Sequence, residues 1–330
     1  MPKRSLAGFR DALTVLGERT VNPRRPRGAA VQLTVVTVTH NSERVLGALL
    51  DSVERYLPGV RMVVVDNAST DGSLELAGSR PWASVVPLTE NVGFGLACNL
   101  GLEHVGTPVT ALLNPDVELL DDSLLELVHE TLEGPGQPRL LAPLVLSGDG
   151  SRQDTVHPAP CSAAELTRAL IPPSLLPGAA RVALAPWWAH RPRRVGWAVG
   201  CALVAGTSTL RGLGPFDGSF FMYGEDMHLG LRARQSGIET WLWPQAQVVH
   251  RRAHATQSVF GGEPFDLLAR ARHDAVARAL GRRRAALDDV AQLVTFGSRI
   301  VLRRIVGRPN ARERRQLQAL LALRRAGPRT

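Results

Sequence analysis

With 330 residues, 44% of them hydrophobic and 21% charged, the chain has an ordinary globular composition, enough for one large domain or a domain with an appendage. Its formal charge of +9 is unevenly spread: residues 1–30 carry seven Lys/Arg against Asp11 and Glu18, residues 264–330 carry sixteen arginines against five acids, and residues 31–263 are left at −7. An acidic body with basic ends argues against a compact nucleic-acid reader and fits a body whose ends meet an anionic surface such as lipid.

Up to about residue 30, Arg, Pro and Gly cluster (NPRRPRG) and predict a flexible basic arm. Strands and helices then alternate. LTVVTVT (33–39) is short and β-branched, a buried strand, and SERVLGALLDSVERYL (42–57) has apolar residues at helical spacing, with Asn41 or Ser42 as its cap. VRMVVVD (60–66) is a second strand and STDGSLELA (69–77) a capped helix. SVVPL (84–88), GLACNLGLEHV (95–105), VTALLN (109–114) and DDSLLELVHETL (121–132) repeat the rhythm. Residues 133–194, rich in Pro, Gly and Ala, yield no clear elements. VGWAVGCALVAG (195–206) reads as one buried strand, and the chain from 264 onward as basic helices interrupted at Pro309.

Such alternation predicts an α/β fold with a mostly parallel sheet and helices on both faces. Ligands in these sheets gather at the carboxyl ends of strands, which selects His40–Asn41, Asp66–Asn67 and Asn114–Pro115–Asp116. Cys98, Cys161 and Cys201 form no CxxC pair, which excludes a disulfide framework or zinc ribbon and fits a reducing cytosol. No apolar run approaches the ~20 residues that span a bilayer, and Asp11 and Glu18 interrupt any secretory core near the start. The expected location is therefore cytoplasmic, with peripheral contact on the inner face of the membrane.

Each motif has a functional and a structural reading. Gly93-x-Gly95 in NVGFGLACNLG is not a dinucleotide fingerprint, since Cys98 stands where the third glycine belongs, yet glycines opening a helix permit close approach of a phosphate or ribose. Asp66 either accepts a hydrogen bond from a nucleobase or ribose or forms an Asx turn. NPDVEL places Asp116 beside Asn114 after an apolar strand, which suits Mg²⁺ or Mn²⁺ or a simple helix-capping turn. In FFMYGEDMHLGLRAR, Glu225 and Asp226 follow an apolar run and open a helix, so they are either dipole-stabilised caps or a carboxylate pair placed for general-base work. His250 and His254 have a spacing that could serve a metal, without a HExxH motif.

Together VVTVTHNS, VVVDNASTDGS, ENVGFGLACNLGL, LLNPDVEL, VGWAVGCALV, GPFDGSFFMYGEDMHLGLRARQSG and VVHRRAHAT resemble, in order and spacing, the family 2 glycosyltransferases, and among them the rhamnosyltransferase-like branch. The resemblance spans residues 33 to 256 and implies a GT-A fold: a nucleotide-binding half merged with an acceptor-binding half over residues 31–263, followed by a basic helical region at 264–330. It implies that Thr39, His40, Asn41, Asp66, Asn67, Asn91, Gly93, Phe94, Asn99 and Asn114 line a nucleotide-sugar donor. It puts Asp116 and His250 on a Mg²⁺ or Mn²⁺ ion, and Trp197 and His228 on the acceptor side. Asp226 becomes the base, with Glu225 orienting the acceptor or a metal-bound water, and one base with direct displacement implies inversion at the anomeric carbon. Two departures stand out: Asn114 replaces the first acid of the metal motif, and His228 replaces an acid.

The implied activity moves rhamnose from dTDP-rhamnose to a cell-envelope glycan or polyprenyl-linked acceptor. The rivals are a sugar-nucleotide pyrophosphorylase, whose Gly-rich, Arg-containing loop is missing from THNSERV, and a non-catalytic membrane-surface protein with a degenerate transferase domain. The basic C-terminal helices suit an anionic membrane or, equally, a solvated tail that forms a homodimer.

Overall fold

The computed structural model describes residues 30–134, 136–251 and 262–326. The predicted arm before residue 30 and His254 lie outside them. Strands β1 (Leu33–Thr39), β2 (Arg61–Asp66), β3 (Ala83–Pro87) and β4 (Val109–Leu113) stand side by side in the order β3-β2-β1-β4, all parallel. β1 is buried along its full length, as a β-branched run flanked by strands and covered on both faces should be. Its side chains alternate between two cores. Leu33 and Val35 pack with Leu46, Leu49, Leu50 and Val53 of α1 (Glu43–Tyr56), while Val36 and Val38 pack with Ala97, Cys98 and Leu102 of α3 (Phe94–Glu103). Helix α2 (Ser73–Gly78) follows β2.

The sheet then continues through elements that the sequence left open. After β5 (Val117–Leu119) and α4 (Leu124–Glu133), β6 (Arg139–Leu146) enters the sheet between β10 (Ala202–Gly206) and β11 (Glu239–His250). β10 runs antiparallel to both β4 and β6, β11 is parallel to β6, and β5 and β8 (Arg193–Val195) lie antiparallel to β11. The result is a nine-stranded mixed sheet, parallel from β3 to β4 as expected but with β5, β8 and β10 running the opposite way. Between β6 and β8 come β7 (Val156–His157), α5 (Ala163–Leu170) and α6 (Gly178–Leu184).

Three expectations need correction. The stretch 195–206 is not one strand: β9 (Trp197–Ala198) pairs with β7 in a separate two-stranded sheet, and the chain turns at Gly200–Cys201 before β10 begins. Polar groups outside the strand claim that turn, since the Gly200 N–H donates to Asp226 and the Cys201 carbonyl accepts from Asn114 N–H. Nor do Asn41 and Ser42 cap α1 with their side chains. Asn41 adopts φ 52° and accepts from Thr70 N–H at 2.8 Å, while the Ser42 hydroxyl donates to the His40 carbonyl. Asp71 receives the Glu43 N–H (3.1 Å) and Glu43 receives the Gly72 N–H (3.2 Å), so α1 and α2 cap each other across the loop. The second helix consequently starts at Ser73, not 69.

Past α7 (Thr207–Leu213) and α8 (Glu225–Gln235), the C-terminal helices α9 (Phe265–Leu280), α10 (Arg282–Ile305) and α11 (Ala311–Ala326) pack on one another, with Pro309 in the break as expected. Ala275 and Val276 of α9 join Trp197, Phe220, Met227 and Leu231 in a third apolar core under α8. A buried ionic network fastens α9 and α10 to α5. Arg272 donates to both oxygens of Asp288 (2.7 and 2.9 Å) and to Glu165 at 3.1 Å, and His273 meets Asp289 at 2.9 Å. Arg272→Ala strands two buried carboxylates and is expected to cost about 3–5 kcal/mol, measured as a lower urea midpoint; an unchanged midpoint would show that the network contributes nothing.

Candidate active site

The parallel register aligns the strand ends that the sequence selected. Thr39 lies opposite Asp66, and Asp66 opposite Pro87, so His40, Asn67 and the start of α3 converge on one edge. His40 Nδ1 is 2.8 Å from the Asn67 carbonyl. Asn67 is itself a brace: its amide donates to Asn91 Oδ1 (2.9 Å) and the Gly93 carbonyl (3.3 Å) and accepts from Val92 N–H. Thr39 Oγ1 and Asp66 Oδ1 are buried without a hydrogen-bond partner, which leaves two polar atoms available at this edge. The other Asp66 oxygen accepts from Ser69 N–H at 3.1 Å, three residues on, a loop contact in place of the two-residue Asx turn expected for this motif.

Gly93 sits at φ 86°, and a Cβ there would lie 2.4 Å from the Phe221 carbonyl oxygen, so both conformation and space require glycine. That carbonyl also accepts from Phe94 N–H at 3.1 Å. Asn99 holds the same loop from the next turn of α3, donating to the Phe216 carbonyl (2.8 Å) and accepting from Phe216 N–H (3.1 Å). Its amide thus faces the 215–221 loop. This strand edge and the segment leading to the acid pair are therefore one packed unit.

Asp116 and His250, 134 positions apart, meet with Oδ1 and Nε2 3.0 Å apart because β5 and the end of β11 pair antiparallel. Gln153 orients the imidazole: its Oε1 lies 3.2 Å from His250 Nδ1, and its amide donates to the His250 carbonyl at 2.7 Å. With Nδ1–H directed at Gln153, the Nε2 lone pair faces a carboxylate oxygen, and only a proton or a cation reconciles them. Asn114 adds a buried, unpartnered Oδ1 to the same turn. Three acidic, His or Cys groups in metal-binding array do not occur among the described residues. A carboxylate with an imidazole fits Mg²⁺ or Mn²⁺ when phosphate oxygens and water complete the shell.

Helix α8 begins at Glu225. It is preceded by two left-handed residues, Tyr223 (φ 67°) and Gly224 (φ 83°), and a Cβ on Gly224 would lie 2.7 Å from the Ala271 carbonyl of α9. The helix start thus rests on the C-terminal helices. Asp226 accepts from Gly200 N–H (3.0 Å) and Met227 N–H (2.6 Å) and keeps a partly accessible edge. Glu225 is buried, with Oε2 unpartnered. Burial, then the Asp226 charge, pushes Glu225 up to about 8. Burial also raises Asp226, against the pull of its two backbone donors. The Gly200 and Met227 donors thus favour the ionised form of Asp226, and its charge in turn favours the protonated form of Glu225.

Trp197 and His228 are both buried. Trp197 stacks on His157 (ring centroids 4.6 Å apart), and His228 lies beside Phe220 (5.3 Å) and 3.9 Å from Asp217, its basicity lowered by burial. The structure buries both, Trp197 against His157 and His228 against the 215–221 loop, rather than leaving them on an open surface. Sequence reasoning missed Gln153, which carries no local motif. It also missed the Gly200 turn, whose signal was present: a glycine inside an apolar run marks a bulge or a close approach.

The family model for glycosyl transferase family 2 matches residues 34–137. Over 267 residues the chain is 31% identical to the N-acetylglucosaminyl-diphospho-decaprenol L-rhamnosyltransferase of Mycobacterium tuberculosis, covering 72% of this chain and 80% of that protein. It is 26% identical over 229 residues to the low-salt glycan biosynthesis hexosyltransferase Agl10 of Haloferax volcanii, covering 67% of each. Among solved structures it matches the mannosyltransferase PcManGT of Pyrobaculum calidifontis, in complex with GDP-Man and Mn²⁺, with a TM-score of 0.54 at 16% identity over 97% of this chain and 86% of that one. GalNAc-T7 with UDP, GalNAc and Mn²⁺ gives 0.55 at 16% identity over 78% of this chain, which spans 51% of that chain. At such identity the two structures establish a shared GT-A-like fold. The match to the rhamnosyltransferase over most of both chains, joined to the family model, leads to one conclusion: this protein is a glycosyltransferase of family 2.

Proposed function

We propose that the protein transfers a sugar, with rhamnose from dTDP-rhamnose the leading candidate, to a hydroxyl of a polyprenyl-linked or related cell-envelope acceptor, with inversion. The observation that carries the sugar and acceptor is the 31% identity to the rhamnosyltransferase across 80% of that protein. The mechanism rests on the charge split between Glu225 and Asp226.

Thr39 and Asp66 offer the unpartnered oxygens that a nucleoside's N–H and O–H groups satisfy, and the Asn67–Asn91 brace keeps that edge rigid. Asp116 and His250 would hold a divalent cation, which when bound stabilises the charge growing on the departing diphosphate. Asp226 is the base. Each of its oxygens retains a lone pair beyond its backbone bond, so an acceptor hydroxyl can share it and deliver its proton as the oxygen attacks. Glu225, protonated beside it, leaves Asp226 as the single ionised carboxylate. One base acting on one displacement inverts the anomeric carbon. No observation favours the pyrophosphorylase, and the intact acid pair argues against a degenerate domain.

Incubation with a panel of nucleotide sugars and a polyprenyl-diphosphate-linked acceptor should release nucleoside diphosphate fastest from dTDP-rhamnose. Chelation should abolish release, and Gln153→Leu should raise the Mn²⁺ needed about 10- to 100-fold through the freed His250 ring. Full activity without divalent ions, or no turnover on any donor, would refute the corresponding part of the reading. Asp226→Asn should lower kcat about 10²- to 10⁴-fold with donor affinity nearly unchanged; wild-type kcat in that variant would remove the base assignment.

A further inference from the structure

We propose that the face where α5 meets the C-terminal half of α10 is a docking surface for an anionic lipid membrane. The two helices form one unit: Ser298 Oγ donates to the Ala169 carbonyl (2.9 Å), Arg299 to the Arg168 carbonyl (2.6 Å), and Gln292 to Glu165 (3.0 Å). Along α10, Leu287, Val290, Val294, Val301 and Ile305 follow each other at intervals of three, four, seven and four residues, which is one stripe of a helix, and all are exposed. Val301 is 58% and Ile305 76% exposed, and at the end of α5 Leu170 is 68% exposed, with Ile171 next to it at 41%. Apolar side chains this exposed on adjoining helices mark an interaction surface.

Charge identifies the partner. The acids of α5 and α10 are turned inward and paired, Glu165 and Asp288 with Arg272 and Asp289 with His273, and Glu313 of α11 pairs with Arg303. Arg283, Arg304 and Arg308, beside or beyond the stripe, are exposed. The outer surface is thus apolar and cationic with its own acids withdrawn. A second copy docking here about a twofold axis would bring arginines against arginines. Lipid phosphates complement them, while the apolar side chains enter the acyl boundary. No described helix is long and apolar enough to cross a membrane, so the contact is peripheral. This proposal stands apart from the sugar and acceptor assignment.

The test is flotation of the full chain with vesicles of phosphatidylcholine alone or with about one third phosphatidylglycerol, at low and high salt. The protein should float with the anionic vesicles only and detach as salt rises. Val301→Asp/Ile305→Asp should lower binding at least about tenfold. Arg304→Gln/Arg308→Gln should lower it about 25-fold, at about fivefold for each arginine. Both pairs are exposed, so circular dichroism and turnover on a water-soluble acceptor should be unchanged. Failure to float with anionic vesicles, equal flotation with neutral ones, or undiminished binding in both variants overturns the proposal. So does a dimer in sedimentation that Val301→Asp/Ile305→Asp dissolves, which would make the face a self-association surface. Inorganic phosphate releasing the protein at concentrations where chloride of equal ionic strength does not would assign the arginines to free phosphate instead.

Discussion

The hydrogen bond from the Gly200 backbone N–H to the Asp226 carboxylate is the contact on which the site depends. It ends what would otherwise be a continuous strand and sends the next residue's carbonyl to the N–H of Asn114. One short turn therefore links the start of β10, the Asn114–Asp116 turn and the first residues of α8. The same bond, with that from Met227, separates the fates of two neighbouring acids. Burial raises both neighbouring carboxyls; the Asp226 charge raises Glu225 further, while the Gly200 and Met227 amides oppose the rise at Asp226.

Much of this was legible in the sequence because short-range physics governs it. Parallel strands buried on both faces must be apolar and β-branched, so β1, β2 and β4 declare themselves, and the rule that ligands collect at strand ends then selects His40, Asp66 and Asp116 before any contact is known. Glu225 as the first residue of a helix follows from local patterning as well. The meeting of Asp116 with His250 was implied only by the family resemblance, since no local rule connects positions 134 residues apart.

The illegible parts are those that tertiary contacts decide. Ser42 is a good cap by type, but the neighbouring loop supplies Asp71 instead and draws the hydroxyl to His40. Trp197 and His228 have side chains suited to sugar contacts, yet they are buried against His157 and Phe220 respectively. Gln153 lies in the Pro- and Gly-rich stretch that gave no pattern, and only the fold brings it to His250. The basic C-terminal region is a similar case. Its net charge is read directly from the sequence, but the withdrawal of Asp288, Asp289 and Glu313 into ion pairs, which leaves the α10 face cationic, is a property of packing.

The central claim is that burial beside the Asp226 carboxylate leaves Glu225 protonated near neutral pH. Infrared difference spectroscopy of the carboxyl stretch, titrated from about pH 5 to 10 across the raised Glu225 value of about 8, tests it directly. The account predicts a protonated-carboxyl band present at pH 7 that fades as pH rises through about 8, lost in Glu225→Gln and retained in Asp226→Asn. Absence of that band at pH 7, or its loss in Asp226→Asn alone, would contradict it.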